Sequence, residues 1–289
     1  MECLQNFNTA SDLFSWLIEP KNRMYYFRGI SSKEQVYPSI MRTKDKDLSF
    51  AENKILNDFI RFGSSLIGNI NNAFDCVAYA QHFGLPTRLV DWSRNPLIAL
   101  FFSLYYSKQS QSEPKILLLP NHNTMPISEP LYLQTWGSLQ LNDENPVRSY
   151  IKFIDQVKNG KFADICIASI LYHENIEGEA AELCSNKIKE SDKKKFMIMV
   201  NSGYSNPRIL AQDGLFYFPR KLNRSDIDDE YVSSGVKYIS VPVEWKSTLL
   251  NMLDLVGVSK YKLFFDLQNI CSFIVEQIED YDNNFLVNP

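Results

Sequence analysis

The sequence predicts an α+β fold, a single domain with a mixed or antiparallel central sheet flanked by helices. Two observations carry this. Aromatic and β-branched runs bounded by glycine or proline recur along the chain, and between them lie segments whose apolar residues fall at helical spacing. The two kinds of segment do not alternate with the regular rhythm of a doubly wound parallel sheet.

Taken in order, Thr9 to Ile18 reads as an amphipathic helix, with Ser11 as its cap, Leu13, Phe14, Leu17 and Ile18 on one face, and Pro20 ending it. "MYYFRGI" (Met24 to Ile30) reads as a strand, and "YPSIMR" as an extended connection, because the residue before Pro38 is pushed out of the helical region. Phe50 to about Ile70 and Ala73 to His82 carry helical periodicity, the second stopped by Gly84 and Pro86. "RLVDW" is a short strand. Asn95 followed by Pro96 then starts a helix running to Tyr106. "KILLLP" (Lys115 to Pro120), "KKFMIMV", "LFYFP" and "VKYISVPV" read as strands. Trp245 to Val256 and Phe265 to Ile278 read as closing helices. Residues 121–190 are expected to be an insertion, with weak helix at 145–158 and a strand at Phe162 to Tyr172; the core motifs lie at 24–106 and 195–267. The polar tracts Ser191 to Lys195 and Asn223 to Glu230 are expected to be solvated faces or loops.

Composition narrows the function classes. The 289 residues are 45% apolar and 22% charged with a net charge of −4, which disfavours nonspecific binding to nucleic acid. Five cysteines stand singly and three histidines lack metal-ligand spacing, so a zinc site and metal hydrolysis are disfavoured. The N-terminus has no basic start or cleavage site of a signal peptide, and no apolar run approaches the ~20 residues that cross a bilayer. The expectation is a cytoplasmic protein without a membrane partner.

Three groups of residues bear chemistry. Arg28 lies among Tyr25, Tyr26 and Phe27, directly before Gly29. A guanidinium there needs an anion: an internal carboxylate, or a ligand phosphate or carboxylate approached closely across the glycine. The stretch "QHFGLPTRLVDWSRNPLIALFF" (Gln81 to Phe102) packs Gln81, His82, Arg88, Asp91, Ser93, Arg94 and Asn95 between apolar residues and turn formers. Strand alternation puts Asp91 and Ser93 on one face, Val90 and Trp92 on the other. His82 taken alone reads first as a hydrogen-bonded structural histidine, and Asp91 reads equally as a salt-bridge partner of Arg88 or Arg94. The third group, "NPRILAQDGLFYFP", sets Arg208 and Gln212 before an aspartate–glycine turn, and also fits an ordinary hairpin.

On these residues, "YFRGI", "PSIMR", the Gln81–Phe102 stretch, "NPRILAQDGLF" and "LLNMLDLVGVSKYKLFFDL" (Leu249 to Leu267), the chain resembles the FRG domain, named for its Phe-Arg-Gly motif, over nearly all of its 289 residues. Arg28 on an early strand, followed by a hydroxyl-bearing strand running into "NPLIALFF", is also similar to the Arg–Ser–Glu plan of ADP-ribosyltransferases. That resemblance implies Arg28 and Ser93 at the arginine and hydroxyl positions. The plan's catalytic glutamate has no counterpart, since Asn206 and Arg208 stand in its place. What the resemblance implies is an NAD-using enzyme, transferring ADP-ribose or cleaving the nicotinamide bond, of the kind found in toxin or phage-defence effectors. Its cofactor-binding residues are Arg28, Gly29, Arg88, Ser93 and Asn95, with Arg28 on the pyrophosphate and Ser93 on the nicotinamide ribose. His82, Asp91 and Gln212 are the catalytic candidates, stabilising oxocarbenium-like charge. The alternative is a non-catalytic sensor that binds a small nucleotide, or a module that binds a protein or nucleic-acid target.

Overall fold

The computed structural model describes residues 1–43, 48–63, 73–105, 107, 113–127, 197–200, 207–219, 222–264, 269–271 and 273–275. The fold is α+β. Its strands are β1 (Glu2–Cys3), β2 (Tyr25–Ile30), β3 (Val90–Ser93), β4 (Lys115–Pro120), β5 (Met125–Ile127), β6 (Ile198–Val200), β7 (Gly214–Tyr217) and β8 (Lys237–Ser240). They form one mixed sheet in the order β1-β8-β4-β2-β3-β7-β6-β5. Only the two outermost pairings, β1 with β8 and β5 with β6, are parallel.

The sheet divides its apolar residues between two layers. Phe27, Ile116, Leu118 and Ile239 face α1 (Ala10–Leu17), α4 (Pro96–Tyr105) and α7 (Lys246–Leu255). On the other face, Ile30, Trp92, Leu117 and Tyr217 pack against Ile227 and Tyr231 of α6 (Arg224–Ser233). β2, β4 and β8 therefore contribute alternate residues to the two cores, as a period of two requires.

One junction is unlike the rest. β2 pairs with β4 along all six of its residues, Tyr25 to Ile30. Against β3 it makes a single pair, Phe27 with Ser93. The sheet opens there, and backbone groups that a ladder would satisfy must find other partners.

Several sequence expectations change. The cap of α1 is Thr9, whose hydroxyl accepts from the Asp12 amide at 3.1 Å, and not Ser11, which lies inside the helix. Ser39–Arg42 winds into a 3-10 turn instead of staying extended. Residues 224–233, expected to be a solvated tract or loop, form α6. Asn223 caps it, accepting from the Asp226 amide at 2.9 Å, and Ile227, Glu230 and Tyr231 are buried on one face. Pro207–Ala211 forms a short helix, α5, where a hairpin was the competing expectation. Residues 121–127, the start of the segment expected to be an irregular insertion, make a turn and the edge strand β5. The helix expected at 145–158 and the strand at 162–172 lie outside the described residues.

The expected long helix forms as α2 (Leu48–Gly63), and α3 (Ala73–His82) follows. The closing segment holds α7 and the short α8 (Lys260–Leu263). Among the described residues, no helix is long and apolar enough to cross a membrane.

Candidate functional site

The opening between β2 and β3 is a cavity of about 590 Å³, counting its mouth. Strand β2 supplies Phe27, Arg28 and Gly29, strand β3 Asp91 to Ser93, and α4 Ile98, Ala99 and Phe102. Gln35, Arg208 and Gln212 complete the wall. A second cavity of about 370 Å³ lies between α3 and α5, with Ala78, Gln81, His82 and Phe216 on its wall. Asp91, Arg208 and Gln212 line both.

Arg28 takes up the bonds that the opened sheet leaves unmade. Its Nε and Nη2 donate to the Gln35 carbonyl at 3.3 and 2.8 Å, and its Nη1 donates to the Asp91 carbonyl. Among the described residues no carboxylate pairs with it, so the internal ion pair considered from sequence is absent. A guanidinium carries five N–H donors; three are engaged here, and two have no acceptor among the described residues. The surroundings add positive charge. Partial desolvation and then the nearby Arg28 charge push the Arg42 pKa down. A half-buried cation with spare donors beside a second cation is an anion-binding arrangement.

Gln35 is itself fixed. Its side-chain Oε1 accepts from the Ser31 amide at 2.6 Å and the Ser32 amide at 3.3 Å, which caps the turn whose carbonyl Arg28 grips.

Gly29 serves an end that was not expected. A Cβ there would lie 1.8 Å from the Ala99 carbonyl oxygen and 2.5 Å from the Ser103 amide nitrogen. The glycine lets the backbone of α4 cross β2 closely, and it also lies on the wall of the cavity.

Asp91 is the acidic group of the cavity. It is exposed, and one oxygen, Oδ1, accepts from Gln81 Nε2 at 2.8 Å. Gln81 Oε1 in turn accepts from the Thr87 hydroxyl, and the Thr87 amide donates to Ser39 Oγ at 2.9 Å. This relay orients the Asp91 carboxylate and fixes the Gln81 amide. Asp91 forms no ion pair with Arg88 or Arg94 among the described residues. Arg94 pairs instead with Asp213, at 3.4 Å.

Arg88 is not in either cavity. It is 2% exposed, and its Nε and Nη2 donate to Glu52 Oε2 at 2.9 and 2.7 Å. The Arg88 amide donates to Glu52 Oε1 at 3.2 Å, and the guanidinium lies 5.1 Å from the Phe218 ring centre. With its fork committed to a carboxylate of α2, Arg88 leaves the set of ligand-binding candidates.

Ser93 and Asn95 build the junction more than they face a ligand. The Ser93 hydroxyl donates to the Gln212 carbonyl at 2.7 Å and accepts from the Asn95 amide at 3.0 Å. Asn95 Oδ1 accepts from the Leu97 amide at 2.9 Å, capping α4; it is not on the wall of either cavity. Gln212 lies between the cavities, and its Nε2 donates to the Leu263 carbonyl at 2.9 Å. Asp213 follows at φ 45°, a left-handed turn that aspartate tolerates better than most residues. His82 lines only the second cavity, with its ring centre 4.9 Å from that of Phe83.

The structure thus brings Arg28, Asp91, Ser93 and Gln212 together and sets His82 next door. Reasoning from sequence left Gln35, Phe102 and Arg208 off the site. Arg208, whose guanidinium lies 4.7 Å from the Phe264 ring centre, was visible as a basic residue before the aspartate–glycine turn. Gln35 acts through its main chain, which no residue type announces. Among the described residues, no group of histidine, cysteine, aspartate and glutamate could hold a metal ion.

A family model described as FRG domain matches residues 23–112. The match spans β2, α2, α3, β3 and α4, including Arg28 and Asp91, and stops short of Arg208 and Gln212. No curated protein and no solved structure matches the chain.

Proposed function

We propose, for a chain that carries an FRG domain, that the cavity between β2 and β3 binds NAD and that the protein cleaves its nicotinamide–ribose bond. One observation carries this reading: among the described residues, a guanidinium with no carboxylate partner and a carboxylate held by a single hydrogen bond share the same cavity. The spare N–H groups of Arg28 suit a pyrophosphate oxygen. Breaking the bond from ribose C1′ to the nicotinamide nitrogen leaves the electron pair on nicotinamide and positive charge on the ribose. The Asp91 carboxylate is the group on the wall that stabilises such charge. When water adds to C1′, its proton passes to that carboxylate. The aromatic side of the cavity, Phe27 and Phe102, excludes water from the rest of the ligand.

The resemblance to ADP-ribosyltransferases supports the choice of NAD. The place of their glutamate is taken here by an aspartate from a different position in the chain, held by Gln81. Consumption of NAD would suit a toxin or phage-defence effector.

The test is release of labelled nicotinamide from NAD. The wild-type protein is expected to release it, and Asp91→Asn to do so about 100-fold more slowly. Arg28→Ala is expected to lose both release and the thermal stabilisation that NAD confers. Full activity in a folded Arg28→Ala protein overturns the assignment. Stabilisation by NAD with no nicotinamide released makes the protein a nucleotide sensor.

A further inference from the structure

Resting on the NAD-cleaving reading, we infer that the second cavity is an acceptor subsite that takes the base of a nucleotide, so that the protein transfers ADP-ribose to a nucleobase. Three features of the structure lead there. The two cavities meet at Asp91, so one carboxylate faces a donor on one side and an acceptor on the other. The second cavity is walled by apolar Ala78, Ile209 and Phe216 on one hand and by the polar Gln81 and Arg208 on the other. A flat heterocycle with a polar edge and a nearby phosphate matches that division, because the Gln81 N–H not spent on Asp91 suits a base-edge acceptor and guanidinium groups pair with phosphate. His82 on its wall packs against Phe83, whose ring centre lies 5.1 Å from that of Tyr79, and Phe83 is left 62% exposed. An exposed aromatic face beside a polar cavity is a platform for base stacking. The net charge of −4 favours a nucleotide or a short single strand over a long duplex.

The transfer balances without any further reagent. The C1′–nicotinamide bond breaks and its electron pair leaves on nicotinamide. A ring nitrogen or exocyclic amine of the acceptor base supplies the pair for the new bond to C1′. The proton it loses passes to the Asp91 carboxylate.

Two variants separate this inference from the reading beneath it. Ala78→Leu narrows the second cavity from a position that is not on the wall of the first. Phe83→Ala removes the exposed ring at little cost to folding. Each is incubated with NAD and with adenosine or guanosine monophosphate, a single-stranded oligonucleotide, or an arginine- and serine-containing peptide, and products are read by mass spectrometry. Nucleotide binding without NAD is read in parallel by calorimetry.

The wild type is expected to bind the monophosphates and to place ADP-ribose on a base, with the mononucleotide and oligonucleotide arms telling the two sources apart. Both variants are expected to lower binding and transfer about tenfold while nicotinamide release into water persists. ADP-ribose found only on the peptide, or no calorimetric binding of either monophosphate, overturns the inference. So does loss of nicotinamide release in Ala78→Leu, which would make the second cavity part of the donor site. Monophosphate binding that Ala78→Leu abolishes, with no NAD cleaved by any form, upholds the base-binding subsite but overturns the NAD reading and the transfer built on it.

Discussion

Arg28 and Gly29 are neighbours in the motif and do opposite things. The arginine turns three donors to two carbonyls, and its other two have no acceptor among the described residues. The glycine makes room for α4, which its missing Cβ lets in. That distinction predicts different failures. Gly29→Ala forces backbone against backbone, and no side chain can swing away to relieve it. It is expected to cost about 3 kcal/mol, the upper part of the range for overpacking. Denaturant unfolding measures this, and a loss below about 1 kcal/mol would mean that α4 is free to shift. Sequence alone showed that both residues mattered. It could not show which way each faced, because a glycine before a polar turn looks the same whether a helix or a ligand fills its space.

At the scale of elements, α6 is the clearest lesson. Its sequence is acidic and its apolar residues are few, so local composition reads as solvated. What makes it a helix is a cap at Asn223 and a narrow buried face, Ile227 with Tyr231, that needs the sheet to pack against. Tyr231 is 1% exposed and donates to the Val36 carbonyl at 3.0 Å, while Tyr37 donates to Asp228 at 3.0 Å. These bonds dock α6 onto the turn whose Gln35 carbonyl holds Arg28. Burial pushes the pKa of both phenols above the ordinary value of 10.0, and for Tyr37 the Asp228 carboxylate adds to it. A raised pKa in the folded state stabilises the neutral phenol. The contribution is therefore complete below the ordinary value and lost as pH rises through the folded one. Stability should fall steadily above pH ~10. Tyr231→Phe should make that fall shallower, at a cost of about 1–3 kcal/mol at neutral pH from the unpaired Val36 carbonyl. An unchanged alkaline slope in Tyr231→Phe would show that this phenol does not contribute.

Across the whole molecule, one buried ion pair joins parts that are far apart in sequence. Arg88, just before β3, is gripped by Glu52 of α2 and lies over Phe218, just after β7. Glu52→Ala leaves a guanidinium buried among the sheet and helices. It is expected to cost about 3–5 kcal/mol and to lower Tm by about 10 °C. Glu34→Ala, which removes the exposed partner of Arg224, is the control and should cost under about 1 kcal/mol. Equal losses in the two variants would contradict the structural role given to Arg88.

The order and kind of most elements were legible in the chain itself. β2, β4, α3 and α4 fall within a residue or so of where periodicity, proline and glycine put them, because those signals are local. The cluster from Gln81 to Asn95 was legible in the same way, as polar groups too many for a core and too apolar in company for a loop. Tertiary structure alone decided their partners. Arg88 turns inward to a glutamate 36 residues away, Asp91 is held by Gln81, and Arg28 bonds to the carbonyls of Gln35 and Asp91 across an opened sheet. Such pairings are made by chain segments brought together only on folding, and no repeat along the sequence encodes which of two arginines will meet the carboxylate.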